Sequence, residues 1–200
     1  TGLTYRSPMR DSVAGRRVTR NLGTDVVLKR ALGLLLLLGA AQLSQAQTVL
    51  HFPRTIAGSN VFTGLAVGNP TTTEVSVTFT AFQPDGTTLS GEGVQNPVTV
   101  KIPAGGQMAR VFNEVFGARE FNGWVQATSS TRGLTGFFIN GNGALTDLDG
   151  AGAVEATAEF VLPFASEDTA TKTEVTIVNV NAEPATAVVT LYGANGQSIA

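Results

Sequence analysis

The chain has 200 residues, a length for one or two domains; 42% are hydrophobic, enough for a sizeable core, and only 14% are charged. The net charge of −2 hides a split: seven Arg/Lys and two Asp precede residue 47, a balance of +5, while six Arg/Lys and thirteen Asp/Glu follow, a balance of −7. An acidic body argues against nucleic-acid phosphates and anionic lipid as partners, and zero Cys excludes a disulfide framework, thiolate metal sites and lipid attachment through Cys.

Residues 1–24 are basic and begin at Thr1, with Met9 the first methionine. They read as a disordered basic leader or as upstream sequence read through by an early start. Arg16-Arg17 stands too far from the apolar run to act as a twin-arginine signal. Residues 25–46 have the three parts of a secretory signal peptide. Lys29-Arg30 is the basic flank, Ala31 to Ala41 the apolar run, and Ser44 and Ala46 are the small residues of a cleavage site. A membrane anchor needs about 17 or more apolar residues, and this run breaks into Gln42 too early. The expectation is a signal-peptide helix cleaved after Ala46, export to the outside or the cell surface, and membrane contact only through the uncleaved leader.

Thr, Val, Gly and Pro then set a β pattern. Thr48 to Pro53 is a short strand closed by proline, and Val61 to Val67 a second, stopped at Gly68-Asn69-Pro70. Residues 74–86 alternate most cleanly: Val75, Val77, Phe79 and Ala81 face one way, Ser76, Thr78 and Thr80 the other, before the turn Pro84-Asp85-Gly86. Thr87 to Leu89 is a short return, and Gly91, Gly93 and Asn96-Pro97 make a loop. Val98 to Ile102 alternates again, and a turn at Pro103-Ala104-Gly105-Gly106 leads into Gln107 to Phe112. At Phe112, Val115 and Phe116 the spacing becomes i, i+3, i+4 and Gly117 ends it, which predicts one helical turn over the open end of the core. Gly123 to Thr128 and Leu134 to Ile139 are the last strong strands, the latter capped by Asn140 to Gly143. About seven short strands in roughly 100 residues is what a β-sandwich requires. Residues 47–146 are therefore expected to form a complete sandwich and 147–159, rich in small side chains, a linker.

Residues 160–200 repeat the first unit. Displaced by 110 positions without a gap, Pro163, Thr173, Asn179, Thr190 and Gly196 fall on Pro53, Thr63, Asn69, Thr80 and Gly86, and inward positions stay inward. This second copy stops short. Three strands cannot cover a core, so the chain is expected to be a fragment of a longer repeat protein; as a complete polypeptide, its 160–200 segment would be only partly ordered or would need a partner strand.

Phe52-Pro53, Val67-Gly68-Asn69-Pro70, Pro84-Asp85-Gly86, Ile102-Pro103-Ala104-Gly105-Gly106, Val115-Phe116-Gly117, Gly123-Trp124-Val125 and Leu134-Thr135-Gly136-Phe137-Phe138 together resemble secreted bacterial proteins of unknown function. Those proteins are built from tandem immunoglobulin-like β-sandwich repeats. The resemblance implies an all-β immunoglobulin-like sandwich and an extracellular or cell-surface setting. It carries over no catalytic, cofactor or metal residues.

Candidate chemistry is sparse. His51 is the only histidine and sits in an apolar strand, with no Gly-x-Ser-x-Gly elbow elsewhere to supply a nucleophile. Asp147 and Asp149 with Gly150 look like part of a calcium loop, but Leu148 separates them and the next acid is Glu155; a solvated turn is the plainer reading. Glu114 and Glu120 flank the helical turn near Arg110 and Arg119, where surface pairing explains them better than a glycosidase dyad. Trp124, Phe121 and Tyr192 are candidates for a sugar-stacking face, although a lone strand tryptophan is more often core. The functional expectation is a non-catalytic structural or adhesive module contacting a surface protein or glycan, with no cofactor. The alternative is a carbohydrate-binding accessory module of a larger secreted enzyme.

Overall fold

A computed structural model describes residues 47–169 and 172–199. The leader 1–24, the signal peptide 25–46 and its cleavage point after Ala46 lie outside the described residues.

The body of the chain is two antiparallel four-stranded sheets. The strands are β1 (Thr48–Ala57), β2 (Val61–Gly68), β3 (Val75–Phe82), β4 (Val98–Ile102), β5 (Gln107–Val111), β6 (Phe121–Ser129), β7 (Thr135–Asn142) and β8 (Leu148–Gly152). A single helical turn, α1 (Phe112–Phe116), joins β5 to β6. The first sheet runs β1-β6-β3-β4 and the second β5-β2-β7-β8.

Alternation along each strand decides which side is dry. Val75, Val77, Phe79 and Ala81 of β3 are buried, as are Leu65 and Val67 of β2, Leu50 and Phe52 of β1 and Val125 and Ala127 of β6. They meet between the sheets in one core. Phe112, Val115 and Phe116 close an end of that core, with Phe112 stacked on Phe121 at 4.3 Å. The turn stops because Gly117 takes φ 75°, its N–H donating to Asn113 O, and Gln95 N–H satisfies Phe116 O. A Cβ on Gly117 would lie 2.5 Å from Gly93 O, so both backbone angle and space demand glycine there.

Two segments differ from expectation. Pro53 does not end β1. The strand continues to Ala57, with its register against β6 broken between Phe52 and Thr55. Proline lacks the ladder N–H, so the chain bulges past it and resumes. The interval 147–159, read as a linker, carries β8, which pairs with β7 from Phe137↔Gly152 to Gly141↔Leu148. Its run of Leu, Asp, Gly and Ala has no apolar alternation because all five residues are exposed on an edge strand.

Beyond β8 the chain crosses to the first sheet. Ala153 N–H donates to Gly136 O, and Val154 exchanges both backbone hydrogen bonds with His51 of β1. The described residues of 160–169 and 172–199 form no named strand; they make the isolated bridges Glu167↔Lys172 and Tyr192↔Ser198 and expose Phe164, Val188 and Val189. Their local hydrogen bonds match those of the first unit at numbers 110 higher. Gln83 N–H donates to Thr87 O and Gly193 N–H to Gln197 O, both at 2.8 Å. Leu89 N–H meets Ala81 O, and Ile199 N–H meets Leu191 O, both at 2.9 Å. Asn69 Nδ2 donates to Thr73 O as Asn179 Nδ2 does to Glu183 O. Ile56 N–H donates to Thr63 Oγ1 as Ser166 N–H does to Thr173 Oγ1.

Candidate functional site

The outer face of the first sheet holds two of the residues singled out from the sequence, His51 and Trp124. Its pairings place Ser76, Thr78 and Thr80 of β3 beside Lys101 and Thr99 of β4 and Thr128 and Gln126 of β6. Thr78 and Thr99 share a hydroxyl hydrogen bond of 2.9 Å. A shallow groove of about 420 Å³ runs past Ser76, Thr78, Thr128, Ser129 and Ser130. The face is rich in hydroxyls, and Lys101 on it pairs with exposed Glu74 at 3.2 Å.

At one end the face turns aromatic. Trp124 points away from Val125 and the core, yet it is only 8% exposed because its indole stacks on Phe82 at 4.3 Å and 14°. Its other neighbour is His51, with ring centres 6.0 Å apart. His51 is 4% exposed; its Nδ1 lies 3.2 Å from Val154 O and its Nε2 3.1 Å from Gln126 Nε2. The network assigns the proton to Nδ1, which donates to the carbonyl, and leaves Nε2 to accept from the Gln126 amide. Burial pushes the imidazole below its usual 6.5, opposed in part by the Val154 carbonyl. With both nitrogens engaged, the ring ties β1 to β6 and to Val154.

The sugar-stacking trio is not assembled. Phe121 faces inward onto Phe112 while Trp124 is on the opposite face of β6, and Tyr192 belongs to the segment 160–199. Glu114 caps its own helix, its carboxylate accepting Val111 N–H at 3.2 Å, and Glu120 is exposed. Asp147 contributes its backbone carbonyl to Asn142 N–H, and Asp149 lies opposite Asn140 on β8. Among the described residues no three His, Cys, Asp or Glu side chains stand together as a metal-holding group.

Three asparagines at the turn, loop and cap read from the sequence, Asn69, Asn96 and Asn140, also fasten the fold. Asn96 acts as a surrogate strand: its Oδ1 accepts Ala81 N–H, and its Nδ2 donates to Ala81 O and Leu89 O, each at 2.9 Å. Buried Asn69 donates to Thr73 O, Ile102 O and Pro103 O while accepting from the Thr71 backbone and hydroxyl. Thr63 donates to Asn140 Oδ1 in the space between the sheets, and Asn140 Nδ2 is buried with no acceptor among the described residues. Asn beside Pro or Gly was the available signal at 69 and 96, but nothing local reveals which distant carbonyls such a side chain reaches.

No protein-family model, curated protein or solved structure matches the chain. Fold and surface together define a class, the all-β sandwich of two antiparallel sheets. Within the described residues no helix is long and apolar enough to cross a membrane.

Proposed function

We propose that this chain is an exported, non-catalytic β-sandwich repeat protein, a structural or adhesive module at the bacterial surface or in the extracellular space. The observation that carries the reading is the set of hydrogen bonds recurring at an offset of 110 residues, which supports a second copy of the same folding unit in 160–200. A chain of like units lengthens a molecule without adding chemistry. The buried, fully engaged His51 and the cap at Glu114 agree with that role.

The unit is immunoglobulin-like at its centre. Pairings β2–β5 and β3–β6 correspond to the B–E and C–F pairs of that scheme, with β1 and β7 exchanged between the sheets. Its mechanism is spacing and presentation. The exit from the first unit is held at β1 by the His51–Val154 pairing and by Arg54, which bonds Glu174 of the next segment at 2.9 Å. A tethered exit gives successive units a preferred arrangement, so their loops and edge strands are offered at regular intervals.

Expression of the full chain in a bacterium, with N-terminal sequencing of the product outside the inner membrane, tests the export on which this rests. The expected mature end is Gln47. A product that remains in the cytoplasm with the leucine run attached would overturn it.

A further inference from the structure

The two outer faces of the sandwich differ. That of the first sheet is paved with Ser, Thr, Gln and Lys, as a wetted antiparallel face should be. The outer face of the second sheet carries no charged side chain in its central rows. Pairings place Phe62 beside Gly141 and Leu148, Ile139 beside Gly64, Gly150 and Val111, and Phe137 beside Ala66 and Gly152. Phe137 is 48% exposed and Leu148 51%, so this face is open.

The glycines make it flat. A Cβ on Gly150 would come within 2.8 Å of Phe137 Cζ, one on Gly141 within 2.9 Å of Phe62 Cζ, and one on Gly64 within 3.1 Å of Ile139 Cγ2. The apolar side chains lie down across glycines and pave the sheet instead of standing on it. The fold does not require this. In the tandem register, the positions of Phe62, Gly64 and Ala66 are taken by Lys172, Glu174 and Thr176.

We propose that the outer face of the second sheet is a self-association surface, on which a second copy of the chain packs sheet against sheet through the same face. Its area suits this occupant. Four strands about 4.8 Å apart and up to about 26 Å long span on the order of 500 Å² in plan. Counted on both copies, that comes to about 1,000 Å², the lower end of specific interfaces, which fits a weak, reversible dimer. A flat, uncharged partner is needed, and such a face on a second copy meets the requirement, since paired sheets pack their apolar faces about 10 Å apart. A glycan is disfavoured because the central rows offer no polar side chain to its hydroxyls.

Size-exclusion chromatography with light scattering on the chain from Gln47 onward, which omits the leucine run, tests the proposal. The expected result is a dimer whose dissociation constant rises about tenfold or more in Phe137→Lys and in Phe62→Lys. Unchanged circular dichroism in those variants shows that the sandwich persists. A monomer at concentrations up to about 0.1 mM would overturn the proposal. So would association that survives both variants and disappears in Val188→Lys/Val189→Lys, because the exposed residues of 160–199 would then be the adhesive element. None of these outcomes depends on whether the chain is exported.

Discussion

His51 and Val154 are joined three ways: two backbone hydrogen bonds of 2.8 and 3.0 Å, and the imidazole Nδ1 at 3.2 Å from the same carbonyl. One residue in β1 thereby anchors the chain as it leaves the second sheet, and that strap closes the sandwich along one edge. Because His51 is the only histidine, its protonation can be followed without interference from another imidazole.

The strap is expected to weaken in acid. The folded imidazole titrates below its usual 6.5 because burial disfavours the cation. As pH falls through 6.5 the unfolded chain takes up the proton first, so stability drops until the folded pKa is reached and is complete above 6.5. The slope is at most about 1.4 kcal/mol per pH unit. Urea midpoints between pH 5 and 7.5 should fall with acidification in the native chain and flatten over this interval in His51→Gln.

Asn96→Ala removes three hydrogen bonds to the backbone of Ala81 and Leu89, beyond the end of the β3–β4 ladder. The expected loss is about 2–3 kcal/mol, since Ala81 N–H and Leu89 O lose the Asn96 side chain while Ala81 O keeps Leu89 N–H. Asn96→Asp keeps the acceptor for Ala81 N–H and loses both donors, so it should not rescue. Equilibrium urea unfolding of the two variants measures this.

Gly117→Ala forces an L side chain into φ 75° with its Cβ against Gly93 O. Strain and displacement together should cost about 1–3 kcal/mol, read as a lower thermal midpoint. Gly86→Ala meets nothing within 4 Å at a comparable φ of 84° and is expected to cost less. The difference between them isolates the steric contribution.

Arg54 and Glu174 are both substantially exposed, so their ion pair is expected to add at most about 1 kcal/mol and to fade in salt. Arg54→Ala should leave the urea midpoint of the sandwich within error. Its effect belongs instead to the orientation of 160–199, measurable as a change in small-angle scattering profile that 0.5 M salt reproduces in the native chain, on the order of a 4 Å Debye length.

Much of the fold could be read from alternation. Val75 to Ala81 and the spacing of Phe112, Val115 and Phe116 report burial directly, because period two and i, i+3, i+4 follow from backbone geometry. Strand β8 gave no such signal: an edge strand exposed on both sides leaves no apolar trace, and its pairing comes from its neighbour β7. Proline at 53 suggested a stop, and only the register break shows how the chain passes it. Trp124 illustrates a different limit. A lone strand tryptophan reads as core, yet this one alternates with Val125 onto the outer face, and its burial there depends on Phe82, which reaches it from a strand 42 positions earlier. The flat apolar face was equally hidden, since Phe62, Ile139 and Leu148 come together only through cross-strand pairing.

Thr48 to Val154 form a two-sheet unit closed by its strap, and we propose that the uncovered segment after it begins a second unit of like build. Hydrogen–deuterium exchange on the chain from Gln47 tests this most directly. Slow exchange is predicted for β2, β3, β6 and β7 and for the amides of His51 and Val154, with fast exchange for most of 160–199. Rapid exchange at Val154 and throughout β8, or protection of 160–199 equal to that of β3, would contradict the account.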